Sequence, residues 1–105
     1  MKYQTVNGEV YDLEKLTSEE RVFFDRIWKD YNLDNHNCPE RYTQKRDWIG
    51  FINFYGLPLQ CLIERESSDI PFALHPLSVI QIDLAVRMGV RNGQLEGEVS
   101  NPLED

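Results

Sequence analysis

No apolar run in this chain approaches the roughly 20 residues that a membrane-spanning helix requires. A membrane-embedded function is therefore not expected. Cysteine is scarce too. Cys38 and Cys61 are the only two in 105 residues, too few for a disulfide framework, and two reduced thiols are the expectation. The opening residues, MKYQTVNGEV, lack the apolar stretch of a secretory signal, which points to the cytoplasm. Basic residues are outnumbered, eleven against eighteen acidic ones, for a net charge of −7. A nucleic-acid binder gathers Lys and Arg on one face, because neutralising phosphates supplies much of its affinity. Here residues 66–105 hold seven acids and two bases. Such a surface repels DNA and anionic membrane. Internal repeats and low-complexity tracts are also lacking.

What is present suits one folded domain spanning residues 1–105. Hydrophobic residues make up 41% and charged residues 28%, the balance of a chain that folds. Two Trp, five Tyr and five Phe supply the large side chains from which a core is built without staples.

Local patterns predict a mostly helical α+β domain, with three to four helices and an N-terminal β-hairpin. Asn7-Gly8 lies between β-branched and aromatic residues. An Asn-Gly pair favours a type I′ turn, so strands are expected near 3–6 and 9–12. The stretch Leu16-Thr17-Ser18-Glu19-Glu20 then opens a helix. Thr17 and Glu20 have the spacing of a capping box, in which each side chain bonds the other residue's backbone amide. Val22, Phe23, Phe24, Ile27, Trp28 and Tyr31 follow as an apolar face. Arg21, Asp25 and Lys29 form a ladder on the other side.

After a polar loop over 34–39, a second helix is expected over 39–55, with Gly56 as its terminator and Pro58 blocking continuation. Residues 58–65 then make a short third helix, in which Cys61 is expected to be buried. The last helix begins at Pro76 and stops at Gly89. Beyond it, Asn92-Gly93 suggests a second turn flanked by Val90 and Leu95, and residues 100–105 should fray.

Candidate chemistry is thin. His36, Cys38, Cys61 and His75 are the metal-ligating types at hand. Structural zinc sites show two ligand pairs at short spacing, and only His36 and Cys38 are so paired, so no metal and no cofactor are expected. A nucleophilic Cys needs a cation or helix N-terminus beside it and an oxyanion-binding loop. No glycine cluster supplies that loop, and no catalytic residue is expected. Arg41, Lys45 and Arg46 stand among aromatics, a mixture used to bind single strands. Three bases are outweighed by the chain's overall charge, and their stems suit cover for apolar neighbours.

The segment over 77–90, LSVIQIDLAVRMGV, carries most of the remaining signal. Leu77, Ile80, Leu84 and Met88 make one apolar stripe on a helical wheel, and Val79, Ile82 and Val86 make another. Asp83 and Arg87 sit four apart in a polar strip between them, where they can pair. A helix apolar on two faces is buried on both or uses one for contact. The same segment resembles the first helix and turn of the phage-repressor-like helix-turn-helix family. With Gln81 as first position, Ala85 falls fifth and Gly89 ninth, followed by Val90 and Leu95. The resemblance covers residues 81–95. It implies a recognition helix after Gly89, with Arg91, Asn92 and Gln94 turned to the major groove. That segment contains Gly93 and Gly97, each costing a helix about 1 kcal/mol relative to Ala, and it places Glu96 and Glu98 among the contact positions.

The composition and patterns together favour a non-enzymatic interaction or regulatory domain acting through protein contacts. A homodimer built on Val79, Ile82 and Val86 is the leading form. Sequence-specific DNA binding is the alternative, and nucleic acid is the less favoured partner. Replacing Thr17 with Ala should cost about 0.5–2 kcal/mol of stability through loss of the cap. The urea midpoint of the variant measures it, and an unchanged midpoint would show that the first helix does not rely on Thr17.

Overall fold

The computed structural model describes residues 1–32, 48–66 and 69–104. Strand β1 (Lys2–Gln4) and strand β2 (Val10–Asp12) lead through a 3₁₀ turn, Leu13–Lys15, into helix α1 (Ser18–Asn32). Helix α2 (Trp48–Glu66) follows, then a second 3₁₀ turn, Phe72–Leu74, and helix α3 (Pro76–Arg91). The described residues end on strand β3 (Leu103–Glu104). The α+β class with an N-terminal hairpin is the one expected from the sequence, and the described residues form three helices of the three to four expected.

The sheet has the order β2-β1-β3, antiparallel throughout. Tyr3 stands opposite Tyr11 on one side and Leu103 on the other. The hairpin turn differs in detail from the expected one. The Gly8 amide donates to the Thr5 carbonyl at 3.0 Å, which places Val6 and Asn7 at the centre of the turn. Gly8 follows with φ of +90°, and Thr5 donates to the Glu9 carbonyl at 2.8 Å. This is the three-residue loop in which one left-handed residue, best filled by Gly, restores strand pairing. Its extra residue shortens the strands to 2–4 and 10–12.

Helix α1 begins as its sequence predicts. Thr17 Oγ1 accepts from the Glu20 amide at 3.2 Å, and Glu20 Oε1 accepts from the Thr17 amide at 3.0 Å. Phe23, Phe24, Ile27 and Tyr31 are buried. Val22, expected on that face, is instead exposed. Arg21 and Asp25 form the first rung of the solvated ladder at 3.2 Å.

Helix α2 corrects two expectations. The expected start over 39–47, the preceding loop and the bases Arg41, Lys45 and Arg46 lie outside the described residues. Within them, the helix passes through Gly56 and Pro58 without ending, and the expected separate helix over 58–65 is its second half. Phe51, Tyr55, Leu59, Leu62 and Ile63 form one uninterrupted buried stripe across the proline. Each such burial is worth roughly 1.5–3 kcal/mol, and together they exceed the ~3 kcal/mol a mid-helix proline costs. Pro58 lies on the exposed side, where a missing amide donor matters least. Helices α1 and α2 run antiparallel: Arg65 near the end of α2 meets Glu19 near the start of α1, and Phe23 meets Tyr55 edge-on at 5.9 Å.

Helix α3 packs against both other helices. Leu77, Ile80, Leu84, Ala85 and Met88 are buried completely. Gly89 does not stop it. The helix continues to Arg91, and Gly93, with φ of +77°, reverses the chain. Gly93 donates to the Val90 carbonyl at 3.0 Å and Gln94 to the Gly89 carbonyl at 2.7 Å, the paired bonds of a Schellman motif. Gly89 serves packing instead. A Cβ there would lie 2.8 Å from Leu95 Cδ1 and 3.2 Å from Trp48 Cδ1. The suggested second hairpin around Asn92-Gly93 is therefore a helix terminus. Within the stretch expected to fray, Leu103 and Glu104 pair with β1. Pro102 is buried beside them, and its carbonyl accepts from the Gln4 amide at 2.8 Å.

One polar cluster ties these parts together. Asp83 and Arg87, read from the sequence as a polar strip, are buried, with side chains 4% and 1% exposed. Asp83 accepts from Arg87 Nε at 2.7 Å, from the Tyr3 hydroxyl at 2.5 Å and from the Val6 amide at 2.9 Å. Arg87 also donates to the Ser100 carbonyl at 2.6 Å and the Gln4 carbonyl at 2.9 Å. Burial, and then the bond to Asp83, raise the Tyr3 phenol far above its ordinary value, so it remains a donor. Desolvation opposes the charge on Arg87, but the hydrogen bond and attraction of Asp83 prevail, and its pKa is raised. Replacing Asp83 with Ala strands a buried cation and should cost about 3–5 kcal/mol. Tyr3→Phe removes one hydrogen bond to a charged group and should cost about 1.5–3 kcal/mol. Denaturant titration of both variants checks the ranking, and equal losses would contradict it.

Candidate functional site

Helix α3 carries the candidate surface. Its buried stripe enters the core, which leaves Val79, Ile82 and Val86 on the opposite side. These three line a groove of 420 Å³. Thr5, Val6, Asn7 and Glu9 of the hairpin turn form one wall, and Phe72 and Ala73 of the second 3₁₀ turn form another. Val79 and Val86 are half-buried. Ile82 remains 43% exposed, and Val6 is 50% exposed. The hairpin thus covers the stripe in part and adds an aliphatic residue of its own.

The wall is fastened by a residue of α3 itself. Asp83, next in sequence to Ile82, turns inward and accepts the Val6 amide from the turn. Thr5 Oγ1 also accepts from the Glu9 amide at 3.1 Å, inside the turn. Charges are few here. Asp83 is paired with Arg87, and the Glu9 carboxylate accepts from the Tyr11 hydroxyl at 2.8 Å.

The residues implied by the repressor-like resemblance lie at the end of α3 and in the turn that follows it. Arg91 donates to the Tyr31 carbonyl at 2.7 Å, and its guanidinium lies 4.4 Å over the Tyr31 ring. Asn92 caps α3, and its amide donates to the Met88 carbonyl at 2.9 Å. Gln94 binds the Gly89 carbonyl through its backbone. Residues 92–102 form turns and extended chain, so no recognition helix stands after Gly89.

Of the residues weighed for metal or thiol chemistry, the two that are described, Cys61 and His75, line different clefts. His36 and Cys38 lie outside the described residues. Cys61 is exposed rather than buried, because it falls beside the Leu59–Leu62–Ile63 stripe instead of within it. It lines a groove between α1 and α2. His75 lines a different cleft. There His75 Nδ1 accepts from the Leu77 amide at 3.0 Å and caps α3. With Nδ1 an acceptor, Nε2 carries the proton and donates to Glu20 Oε2 at 2.8 Å. Glu20 therefore serves two helix starts, α1 through its own capping box and α3 through His75. Sequence reading found the box but not the His75 contact, since 55 residues separate the two. Among the described residues, no group of three His, Cys, Asp or Glu side chains is placed to hold a metal ion. No helix of those residues is long and apolar enough to cross a membrane.

The chain matches no known family model, no characterised protein and no solved structure.

The exposure of Ile82 sets an expectation for its replacement. Ile82→Asp should keep the native helical circular dichroism and lose no more than about 1 kcal/mol, as solvent-facing substitutions do. Collapse of the helical signal in this variant would assign the whole stripe to the core.

Proposed function

We propose that this protein is a small acidic interaction domain, non-enzymatic, that works through protein contacts, and that the α3 groove is where two copies meet. The observation that carries the reading is the pairing of Ile82 with Val6, two large aliphatic side chains left half-exposed on adjoining walls. Apolar surface gathered in one place on a protein marks a contact site.

The choice of a second copy rests on charge. Two molecules of net charge −7 repel each other wherever their carboxylates face. The groove is lined by apolar and neutral residues except for Asp83, already neutralised by Arg87, and Glu9 at its margin. A two-fold contact through this face brings together surfaces that carry little charge. Such isologous dimers are the commonest oligomers. DNA binding draws less support, because the chain turns away after Arg91 and that arginine is engaged by Tyr31.

Sedimentation equilibrium tests the proposal. The wild type should dimerise by high micromolar concentration, and folded Ile82→Asp should remain monomeric, because the contact would bury an unpaired carboxylate. A wild type that stays monomeric over that range would refute the dimer.

A further inference from the structure

The groove between α1 and α2 is a second site, independent of the α3 face. Val22 and Phe23 of α1 and Pro58, Cys61 and Leu62 of α2 line its 420 Å³. Ser18, Glu19, Arg26 and Arg65 complete it. A mainly apolar cleft of this size with a few polar groups has the form of a small-molecule site.

The charges are arranged unevenly along it. At one end, Arg65 and Glu19 are joined at 2.5 Å, and Glu66 stands beside Glu19, so the cation at that end is already engaged by carboxylates. Arg26 lies two turns further along α1, roughly 12 Å from Ser18 at 1.5 Å per residue. Its guanidinium is over the Phe23 ring at 6.0 Å. Among the described residues it has no carboxylate partner. In a chain with more acids than bases, a cation without a carboxylate partner among the described residues, at the end of an apolar groove, is a specific feature. Val22, on the wall, is 61% exposed, so the groove is open to solvent beside it.

We propose that this groove binds a small amphiphile with an aliphatic chain and a single terminal carboxylate. The chain lies along Val22, Phe23, Pro58 and Leu62, and the carboxylate pairs with Arg26. Burying the chain supplies affinity through loss of apolar surface to water. The ion pair supplies orientation and the preference for an acid over an alcohol. Because Arg26 is exposed, that preference should be about two- to fivefold, the range of an exposed ion pair.

Cys61 reports occupancy, since its exposed thiol lies on the groove wall. Iodoacetamide labelling of the intact protein, read at the Cys61 peptide by mass spectrometry, should slow as decanoate is added below its micelle concentration. Decanol should require about two- to fivefold more for equal protection. Arg26→Gln, with an unchanged melting temperature, should erase the difference between acid and alcohol while keeping the protection given by the chain. No protection by decanoate would overturn the proposal. So would equal potency of decanol on the wild type, or an acid preference that survives Arg26→Gln. Protection that grows with protein concentration without ligand would assign the groove to a second copy instead. Val22→Asp should abolish decanoate protection without altering the oligomeric state set by Ile82, and this separates failure here from failure of the α3 dimer.

Discussion

The buried ion pair between Asp83 and Arg87 is the interaction on which the rest of the structure depends. Burying two charges is expensive unless each is paired and its remaining hydrogen-bonding capacity is met. The fold meets it with parts drawn from both ends of the chain. Tyr3 and the Val6 amide serve Asp83. The Gln4 and Ser100 carbonyls serve Arg87. Two adjacent turns of α3 thereby dictate where the hairpin lies and where the final strand returns. A hairpin alone is marginal in water. Here β1 gains a neighbour on each side, and its Tyr3 is locked to the central helix.

The elements that could be read from the sequence are those specified locally. The capping box at Thr17 and Glu20 involves four consecutive residues, and α1 starts there. The Leu77, Ile80, Leu84, Met88 stripe follows from helical spacing alone and is the buried face of α3. Features that depend on distant partners were not readable in this way. Arg87 reaches Ser100 and Gln4, 13 and 83 residues away, so the i,i+4 pair looked like an ordinary surface pair and the tail looked free. Pro58 misled for a related reason. Its local penalty is real, but a stripe of core residues on both sides of it sustains α2. The candidate groove was half-readable. Spacing grouped Val79, Ile82 and Val86, while the contribution of Val6 required knowing that Asp83 holds the hairpin turn beside them.

Gly89 shows how one residue can satisfy two descriptions. Ala85 and Gly89, four apart on an apolar helix, match the spacing of the repressor-like pattern. In this protein the requirement they meet is close packing, without a recognition helix. Ala85 is fully buried, and Leu95 folds back onto Gly89 after the Schellman turn at Gly93. Small residues at that spacing record close packing. The identity of what packs against them is set by the following segment, and Gly93 directs that segment back over the helix as a turn.

The same physics bears on the contact proposed for the α3 face. Association loses affinity when flexible walls must be ordered on binding. The wall carrying Val6 is already ordered, because Asp83 holds its amide and Arg87 holds Asp83. Consecutive residues of α3 thus divide the work. Asp83 faces inward and fixes the hairpin turn, and Ile82 faces outward and meets solvent beside the side chain that the turn presents. Neutralising Asp83 within the core also removes from this face a charge that would otherwise oppose its approach to another acidic surface. The buried ion pair that organises the fold is therefore what leaves an apolar, rigid and nearly uncharged patch on a molecule of net charge −7.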